Sequence, residues 1–393
     1  MRIVVAHNRY RYAGGEDSVV RSEVEMLRNA GHDVELLEAD NQTIDGFVEK
    51  IAAAGSLFRS SSSNRKMAEL VRTFQPDLLH IHNWFPQISP SIIAVARAAS
   101  IPIVQTLHNF RMICANGVMF RDGKVCDDCV GKAFPLNAAM HGCYGGSRVG
   151  SALVSAAFSY HRLAHTWDGV STFIALSENQ RRLLVRNGME AARITVKPNF
   201  VKDTGEVGTG RGGYALFVGR LMPEKGIRTL LNAWDLNRVS LPLWIMGDGP
   251  LADVVRERAM TRSNVEYFGH QSASDVLAAM ANARFLICAS ESVEAFGLTI
   301  VESFSRGTPV LAAYSDSVTE LVENGKTGLY FASGNACELA ATAAQLASDT
   351  LAYAEMRRNC RHTYEKRYTD KLNYKLLMEI YQRAFRTASA SVA

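Results

Sequence analysis

Short runs of apolar residues alternate along the chain with longer segments in which apolar residues recur every three or four positions. The short runs predict buried strands, and the longer segments, such as 18–30 and those within 338–385, predict amphipathic helices. This alternation favours parallel sheets covered by helices, so we expect an α/β fold. The predicted strands are residues 2–6, 33–37, 77–81, 102–106, 172–175, 214–218, 243–246, 265–268, 285–288 and 310–312.

A polar, glycine-rich segment at residues 201–213 interrupts this pattern near the middle of the chain. Such composition predicts a linker. The 393 residues are enough for two domains, each with its own core. We expect an N-terminal domain over 1–203, with a cysteine-rich insertion at 110–146, and a C-terminal domain over 204–370. Ligands of such sheets bind at the carboxyl ends of the strands.

Composition and charge exclude several classes of protein. The hydrophobic content of 47% is ordinary for a globular domain, and no apolar run reaches the ~18 residues of a membrane span. The apolar start is too short for a signal peptide, so we expect a cytoplasmic protein. The net charge of +4 arises entirely within residues 1–200. This bias favours phosphates or an acidic membrane surface, and it is too weak for nucleic acid.

Two glutamates, Glu294 and Glu302, surround a Phe-Gly-Leu turn that follows the predicted strand 285–288. Helical spacing begins at Gly297, which puts Glu294 in a loop and Glu302 inside a helix. Amides at the start of a helix attract anions or sugar hydroxyls. Taken alone, the pair is also compatible with an acid at a helix start and a solvated surface residue. With the amides between them, the two carboxylates suit a nucleotide-sugar: one for the sugar and one for the ribose.

Two glycine-containing loops follow the first strands of the second half. In the first loop, Gly219 allows close approach to a ligand, while Arg220 and Lys225 supply two cations suited to a diphosphate. In the second loop, Gly247 belongs to a Gly-Asp-Gly-Pro sequence that lacks the third glycine of a dinucleotide-binding motif. A surface loop with two solvated cations is the alternative.

These motifs together resemble the donor-binding elements of retaining glycosyltransferases of family four. The resemblance covers most of residues 200–335 and, with looser motifs, residues 1–110. It implies a GT-B fold, in which two Rossmann-like domains face a deep interdomain cleft and a C-terminal helix, here 371–393, crosses back to the first domain. It also implies transfer of a sugar from a nucleoside-diphosphate sugar to a hydroxyl of a glycan or lipid-linked acceptor, with retention of configuration.

The resemblance also implies roles for individual residues. Glu294 would contact the transferred sugar, Glu302 the ribose, and Arg220 with Lys225 the diphosphate. The amides around the Phe-Gly-Leu turn would hold the sugar, and the second glycine loop would leave room for the nucleotide. Phe268 lies in the segment that holds the base, which leaves uracil and guanine open. The residues implied to bind the donor are Gly15, Gly219, Arg220, Lys225, Gly247, Phe268, Glu294, Phe296, Gly297, Leu298 and Glu302.

In the first half, His108 ends the predicted strand 102–106 and is followed by an asparagine. A histidine in this position is as often structural as catalytic, but the resemblance places it near the anomeric carbon. The expected catalytic set is therefore Glu294, His108, Arg220 and Lys225. His82 matches a second histidine motif and is expected to lie in the cleft without a defined role.

The expected catalysis needs no metal, because the chain has no Asp-x-Asp pair with which metal-dependent glycosyltransferases commonly hold the diphosphate. A sugar phosphorylase is disfavoured, since no pyridoxal-binding lysine motif is found. A nucleotide-sugar epimerase or a non-catalytic sugar-nucleotide-binding protein stays open as an alternative. Bacterial relatives of this layout commonly build surface polysaccharides, which makes that pathway the expected one.

Four cysteines, Cys114, Cys126, Cys129 and Cys143, lie in the glycine-rich insertion. The C-x2-C spacing of Cys126 and Cys129 is typical of a zinc knuckle, so the four thiolates are candidates for a structural zinc site. Free thiols or a redox pair are the alternatives.

The sequence also contains a candidate membrane surface. Residues 58–66 carry basic side chains, and residues 151–163 form an amphipathic run. They predict salt-sensitive peripheral contact with an anionic membrane, at its inner face, with a solvated loop and an ordinary core helix as the alternative.

Overall fold

In the computed structural model, residues 1–10, 14–44, 46–348 and 351–390 are described. The strands are β1 (Arg2–Arg9), β2 (Asp33–Asp40), β3 (Leu78–Asn83), β4 (Ile103–Leu107), β5 (Phe120–Arg121), β6 (Lys124–Val125), β7 (Thr172–Ala175), β8 (Ile194–Val196), β9 (Ala215–Val218), β10 (Leu243–Met246), β11 (Val265–Gly269), β12 (Phe285–Cys288), β13 (Val310–Ala313) and β14 (Gly328–Phe331). Every predicted strand is therefore found, with bounds that differ by at most three residues.

The helices include those predicted from periodicity, which begin and end close to the expected positions. They are α1 (Gly15–Asn29), α2 (Phe47–Ser56), α3 (Ser61–Thr73), α4 (Ile92–Ala98), α5 (Leu136–His141), α6 (Arg148–Leu163), α7 (Glu178–Arg186), α8 (Ile227–Asp235), α9 (Ala252–Thr261), α10 (Ala273–Asn282), α11 (Leu298–Ser305), α12 (Asp316–Thr319), α13 (Ala336–Ser348), α14 (Leu351–Arg367) and α15 (Asp370–Ala390). None of the helices in the described ranges is both long and apolar enough to cross a membrane.

The chain divides into two compact units. The first contains residues 1–119, 127–199 and the segment from Lys371 on, and the second contains residues 120–126 and 200–370. Each unit has a six-stranded sheet in which all strand pairs are parallel. The predicted α/β fold with two Rossmann-like domains is confirmed.

The sheet of the first unit has the strand order β2-β1-β3-β4-β7-β8. Its core includes apolar residues of β1 and α1, and it also includes Leu377, Ile380, Tyr381 and Ala384 of α15. Helix α15 thus packs as part of the first unit although it follows the second unit in sequence. Its spacing of three and four residues puts these side chains on one face, which is why this face is buried.

The sheet of the second unit has the order β11-β10-β9-β12-β13-β14. The order reverses between β9 and β12, which lie side by side although two strands, β10 and β11, lie between them in sequence. Buried apolar side chains cover both faces of this sheet, including Trp234 on one side and Phe304 on the other. Open sheets of this type bind ligands at the carboxyl ends of the strands next to such a reversal.

Candidate functional site: a cation–carboxylate centre and a buried histidine chain

The loops that follow β9 and β12 carry the charged residues expected to bind the donor. Gly219, Arg220 and Lys225 follow β9, and Glu294 follows β12. Because the two strands are neighbours and parallel, their carboxyl ends lie at the same edge of the sheet. The reversal of strand order in the second unit therefore brings a basic loop and an acidic loop together.

Lys225 and Glu294 form a direct ion pair, with 2.5 Å between Nζ and Oε1. The Ser290 hydroxyl also donates to this Oε1, at 2.5 Å. The other carboxylate oxygen, Oε2, makes no hydrogen bond with any described residue and is not enclosed by protein atoms. One oxygen of Glu294 is thus anchored, while the other is available to a ligand hydroxyl.

The charges of this pair stabilise each other. Burial alone would raise the pKa of Glu294, but the Lys225 ammonium and the hydrogen bonds hold it below the ordinary value. Burial by itself would lower the pKa of Lys225. The Glu294 carboxylate outweighs this effect, so the pKa of Lys225 is raised. Both groups are therefore ionised at neutral pH. Arg220 is exposed and lies close enough to affect both of them electrostatically.

Glycines make the close packing of these loops possible. Gly247, after β10, has a φ of +146°, and a Cβ atom there would overlap with the carbonyl oxygen of Gly219. Gly226, next to Lys225, has a φ of +68°, and a Cβ atom there would overlap with the carbonyl oxygen of Ala289. A side chain at either position would force the loops after β9, β10 and β12 apart. The predicted glycine positions therefore shape the site.

Helix α11 begins directly after the acidic loop. The first hydrogen bond of its opening turn runs from the Ile300 amide to the Gly297 carbonyl, so the amides of Leu298 and Thr299 precede the helical hydrogen-bond pattern. Phe296 packs edge-on against Tyr368, with ring centroids 6.2 Å apart, and this contact fixes the entry of the chain into the helix. The predicted amide cluster at residues 296–298 is thus the start of a real helix.

Glu302 lies just over one turn into α11. No described residue pairs with its side chain by a hydrogen bond or an ion pair. Burial raises the pKa of Glu302 to about 7. An acid without a partner at the edge of the candidate site could accept hydrogen bonds from the hydroxyls of a ligand.

An aromatic stack lies on the β10 side of the same sheet. Trp244 stacks flat on Tyr214, with ring centroids 3.7 Å apart, and contacts Phe268 of β11 at 4.8 Å. Phe268 is only partly buried. The residue that the sequence assigned to the base-binding segment is therefore held in place by Trp244, which the sequence analysis did not single out.

The glycine pair of the first unit lies at the start of α1. Gly14 is the N-cap residue of this helix. Gly15 is its first residue and is exposed. The Asp17 side chain accepts a hydrogen bond from the Gly14 amide at 3.1 Å and contacts His7 of β1 at 2.8 Å. Asp17 therefore caps the helix and ties its first turn to β1.

His108 follows β4 and is part of a chain of buried polar side chains. Its Nε2 atom lies 2.9 Å from Nδ1 of His82, and the two rings are stacked. Nε2 of His82 lies 3.1 Å from Oε1 of Glu23. Oε2 of Glu23 lies 3.2 Å from the Lys197 ammonium, which also contacts Asn373 of α15. The histidine predicted from the sequence is therefore the outermost member of a larger group.

Only one cluster in the described residues has metal-ligand geometry, namely Glu23, His80 and His82, whose ligand atoms lie within 4.8 Å of one another. Both ring nitrogens of His80 are already bonded, to Tyr381 and Thr106. The Lys197 ammonium supplies the cation that the Glu23 carboxylate requires. This cluster therefore does not fit a metal ion.

The zinc site expected from the four cysteines stays a prediction. Cys114, Cys126, Cys129 and Cys143 do not form a group of metal-ligand geometry in the described chain, and none of them is in a disulfide. The Cys114 thiol instead donates to the Asn116 side chain at 2.9 Å. Loop contacts of this kind, together with helix α5, shape the insertion.

Several residues of these sites were missed by the sequence analysis. Lys197 gives only a weak signal, because β8 before it is too short to stand out as an apolar run, and the structure alone shows that its side chain is 1% exposed. Glu23 and Ser290 carried no comparable signal, since acids within helices and serines in loops are common. Only the fold shows that they meet His82 and Glu294.

Comparisons with known proteins agree with this geometry. The family profile described as "Glycosyl transferase 4-like domain" matches residues 14–199, and the one described as "Glycosyl transferases group 1" matches residues 208–367. A glycogen synthase of Mycobacterium tuberculosis is 27% identical over 288 residues, which are 72% of this chain. The chain spans 62% of the length of that protein.

Two further relatives cover more of their own length. A phosphatidyl-myo-inositol mannosyltransferase of Mycolicibacterium smegmatis is 25% identical over 80% of this chain and 76% of that protein. Among solved structures, Anabaena HepE in complex with UDP and glucose superposes with a TM-score of 0.67 at 19% identity, covering 97% of this chain and 99% of that one. This last likeness concerns the fold.

Proposed function

The chain belongs to the GT-B glycosyltransferases of the family-four type, and we propose that it transfers a hexose from a nucleoside-diphosphate sugar to a hydroxyl of a glycan or lipid-linked acceptor. The observation that carries this proposal is the Lys225–Glu294 pair beside Arg220 at the strand-order reversal of the second unit. Two cations next to a carboxylate with one open oxygen suit a diphosphate linked to a sugar.

In this proposal each part of the donor has its own partner. Arg220 and Lys225 bind the diphosphate and stabilise the charge that develops on it as the glycosidic bond breaks. Oε2 of Glu294 accepts a hydrogen bond from a hydroxyl of the sugar, and the amides at the start of α11 hold the sugar in place. Glu302 binds the ribose hydroxyls, and Phe268 with the loop after β10 accommodates the base.

Retention of configuration and independence from metals are parts of the same proposal. The acceptor hydroxyl then attacks from the face that the diphosphate leaves. UDP is the first nucleotide to test, because HepE was solved with UDP and glucose. The mannosyltransferase that resembles this chain acts on a phosphatidyl-myo-inositol, which favours a lipid or lipid-linked acceptor. A role in surface polysaccharide synthesis is part of the same proposal.

The direct test is donor turnover. The protein is incubated with UDP- and GDP-sugars and an acceptor extract, with and without a chelator, and the released nucleoside diphosphate is measured. We expect release that depends on acceptor, survives the chelator, and is lost in Lys225→Ala but kept in the control Lys366→Ala, which changes an exposed lysine of α14. The anomeric configuration of the product tests retention. No acceptor-dependent release with any donor would refute the proposal.

We also propose peripheral contact with the inner face of an anionic membrane through helices α5 and α6. Leu136, Met140, Val149 and Leu163 are large apolar residues that are exposed on these two helices. Phe58 packs edge-on against Tyr160 of α6, with centroids 5.7 Å apart, which brings the basic segment at Arg59 next to this apolar surface. Exposed apolar side chains beside cations suit an anionic lipid surface.

Flotation with anionic vesicles tests this surface. Binding at low salt that weakens at high salt, and that falls in a Val149→Ser, Leu163→Ser double variant, would support it. Absence of binding at low salt would reject membrane contact without affecting the proposed transfer reaction.

A further inference from the structure

A groove of about 730 Å³ in the second unit has a strongly basic lining. It is formed by segment 207–211, Arg284 and one side of helix α14. Its basic residues are Arg211, Arg284, Arg357, Arg358, Arg361 and His362, and Glu365 is the one acid of the lining. Because residues 201–393 contain equal numbers of basic and acidic residues, this groove is a local concentration of positive charge.

The groove lies at the edge of the sheet opposite the donor loops. Segment 207–211 precedes β9, and Arg284 directly precedes β12. The Gly212 amide donates to the Asn282 carbonyl at 2.8 Å, which holds the two approaches together. Lys225 and Glu294 follow the same two parallel strands, and a strand of four residues is about 13 Å long. The groove is therefore separate from the cation–carboxylate centre.

The inner arginines of the groove hold segment 203–210 on α14. Arg357 donates to the Gly208 carbonyl at 2.5 Å. Arg361 donates to both carboxylate oxygens of Asp203, at 3.0 and 2.8 Å, and to Glu365 at 2.6 Å. The charge of Arg361 is thus balanced by acids, whereas the bond of Arg357 to a neutral carbonyl leaves its charge in place.

The outer cations have no such partners. Arg211, Arg358 and His362 are exposed, and their side chains make no hydrogen bond or ion pair with any described residue. Arg358 and His362 are four residues apart and therefore lie on the same side of α14, one turn from each other. Ala354, one turn before Arg358, is also exposed in the groove, and its small side chain leaves room beside the arginine.

This arrangement suits phosphate groups. A guanidinium group donates two parallel hydrogen bonds to a phosphate, and a histidine ring donates at least one whether or not it is charged. Cations one turn apart on a helix repel each other, and an anion between them removes that repulsion. Two basic positions on α14 and a third on segment 207–211 match a ligand with two adjacent phosphate groups.

Other anionic partners fit less well. Tyr353 is 5% exposed and the Arg284 guanidinium lies 3.5 Å from its ring centroid, so the groove offers no aromatic face on which a base of a nucleic acid could stack. Val207 is the one large apolar residue of the described lining that is exposed. A surface that inserts into a membrane needs a larger apolar area beside its cations.

We propose that this groove is a second anion site, which binds a soluble ligand with two or more adjacent phosphate groups through Arg211, Arg358 and His362. The ligand connects segment 207–211 to α14 by contacts that are added to those of Arg357 and Arg361. The proposal does not rest on the proposed transfer reaction, because the groove and the donor loops share no residue.

Titration with inorganic pyrophosphate in the absence of magnesium tests the site. Proton–carbon spectra of the histidine rings are recorded at constant ionic strength, and the His362→Gln variant assigns the signal. We expect a saturable shift of the His362 signal with a midpoint at or below about 1 mM, whereas the exposed His141 of α5 should not shift. A His362 signal that does not saturate, or that moves together with His141, would show only screening of surface charge and would overturn the proposal.

Variants test the assigned residues. Arg358→Gln and Arg211→Gln should each raise the midpoint at least about fivefold, because each removes a charge-assisted contact. The control Arg367→Gln changes an exposed arginine of α14 outside the groove and should leave the midpoint unchanged. A wild-type midpoint in Arg358→Gln would refute the assignment.

Lys225→Ala separates this site from the donor site. The variant removes a cation of the proposed diphosphate site, so it should leave the His362 titration as it is in the wild type. Loss of the His362 shift in Lys225→Ala would show that the shift comes from pyrophosphate at the donor loops, and it would overturn the second site. A retained shift supports the second site even if no transfer activity is found.

Vesicles distinguish a soluble phosphate from a lipid headgroup. Wild type and Arg358→Gln are floated with vesicles of phosphatidylglycerol and phosphatidylcholine at low salt. We expect equal flotation of the two proteins, because the ligand of the groove is soluble. Weaker flotation of Arg358→Gln would assign the groove to a lipid surface and would overturn the assignment to a soluble ligand.

Discussion

Glu294→Gln is the most informative single change, because the two oxygens of Glu294 have different tasks. Oε1 is held by Lys225 and Ser290, and Oε2 is open to a ligand. Glutamine keeps the size of the side chain and removes its charge. The substitution therefore weakens the sugar contact while releasing Lys225 from its ion pair.

The expected magnitude follows from the contacts. A hydrogen bond from a sugar hydroxyl to a carboxylate contributes about 1.5–3 kcal/mol, so its loss should lower kcat/KM by about ten- to a hundredfold. Lys225, 24% exposed, is then free to face the diphosphate without competition from a carboxylate at 2.5 Å. The affinity for UDP should consequently stay the same or increase slightly.

Two measurements separate these effects. Calorimetric titration gives the Kd of UDP, and release of nucleoside diphosphate gives kcat/KM for the sugar donor. The control is Glu257→Gln, which alters an exposed glutamate of α9 and should change neither value. Equal losses of UDP affinity and kcat/KM in Glu294→Gln would refute the assignment of Glu294 to the sugar.

Three further predictions concern the same unit. Lys225→Ala or Arg220→Ala should weaken UDP binding by about ten- to a hundredfold at unchanged thermal stability, and wild-type UDP affinity in calorimetry would contradict the diphosphate assignment. Burial raises the pKa of Glu302 from 4.5 to about 7. The free energy of unfolding should therefore fall as the pH rises from about 4.5 to about 7, because the folded state holds a proton that the unfolded chain has lost. Urea unfolding at about pH 5 and 8 should show this fall, on the order of 3 kcal/mol at most, in the wild type but not in Glu302→Gln. Gly247→Ala should lower the free energy of unfolding by more than about 1 kcal/mol, because a Cβ atom there overlaps with Gly219; unchanged unfolding would mean that the loops adapt.

The strands and the donor loops could be predicted from the sequence because their signals are local. Phe285–Cys288 is a continuous apolar run of a strand buried on both faces, and the glycines, cations and acids of the site lie directly after such runs. Two strands of the large sheets were not predicted, because they lack such a local signal. β8 has only three residues, and β14 (Gly328–Phe331) follows a polar turn and is buried only at its ends, so neither stands out as an apolar run.

The cysteine spacing is a weaker kind of evidence, and the zinc site expected from it stays a prediction. Cys126 and Cys129 have a spacing found in zinc sites, but spacing within four residues says nothing about where Cys114 and Cys143 lie. Helix α5 lies between Cys129 and Cys143, and its C-cap is Gly142 with a φ of +63°. The spacing of two cysteines therefore predicts a site less reliably than the donor motifs, in which a strand, a loop and a helix follow one another in the sequence.

The buried chain behind His108 shows the limit of sequence analysis most clearly. Its members come from α1, β3, the ends of β4 and β8, and α15, so up to 176 positions separate two side chains in direct contact. Each residue alone has an ordinary explanation: Glu23 belongs to a helix, and His82 to a strand. Only the parallel order β1-β3-β4, with α1 and α15 packed on the sheet, brings a carboxylate to the histidine pair. Because a buried carboxylate requires a cation, Lys197 after β8 pairs with Glu23 at 3.2 Å inside the first unit, and only the fold shows why a lysine is buried there.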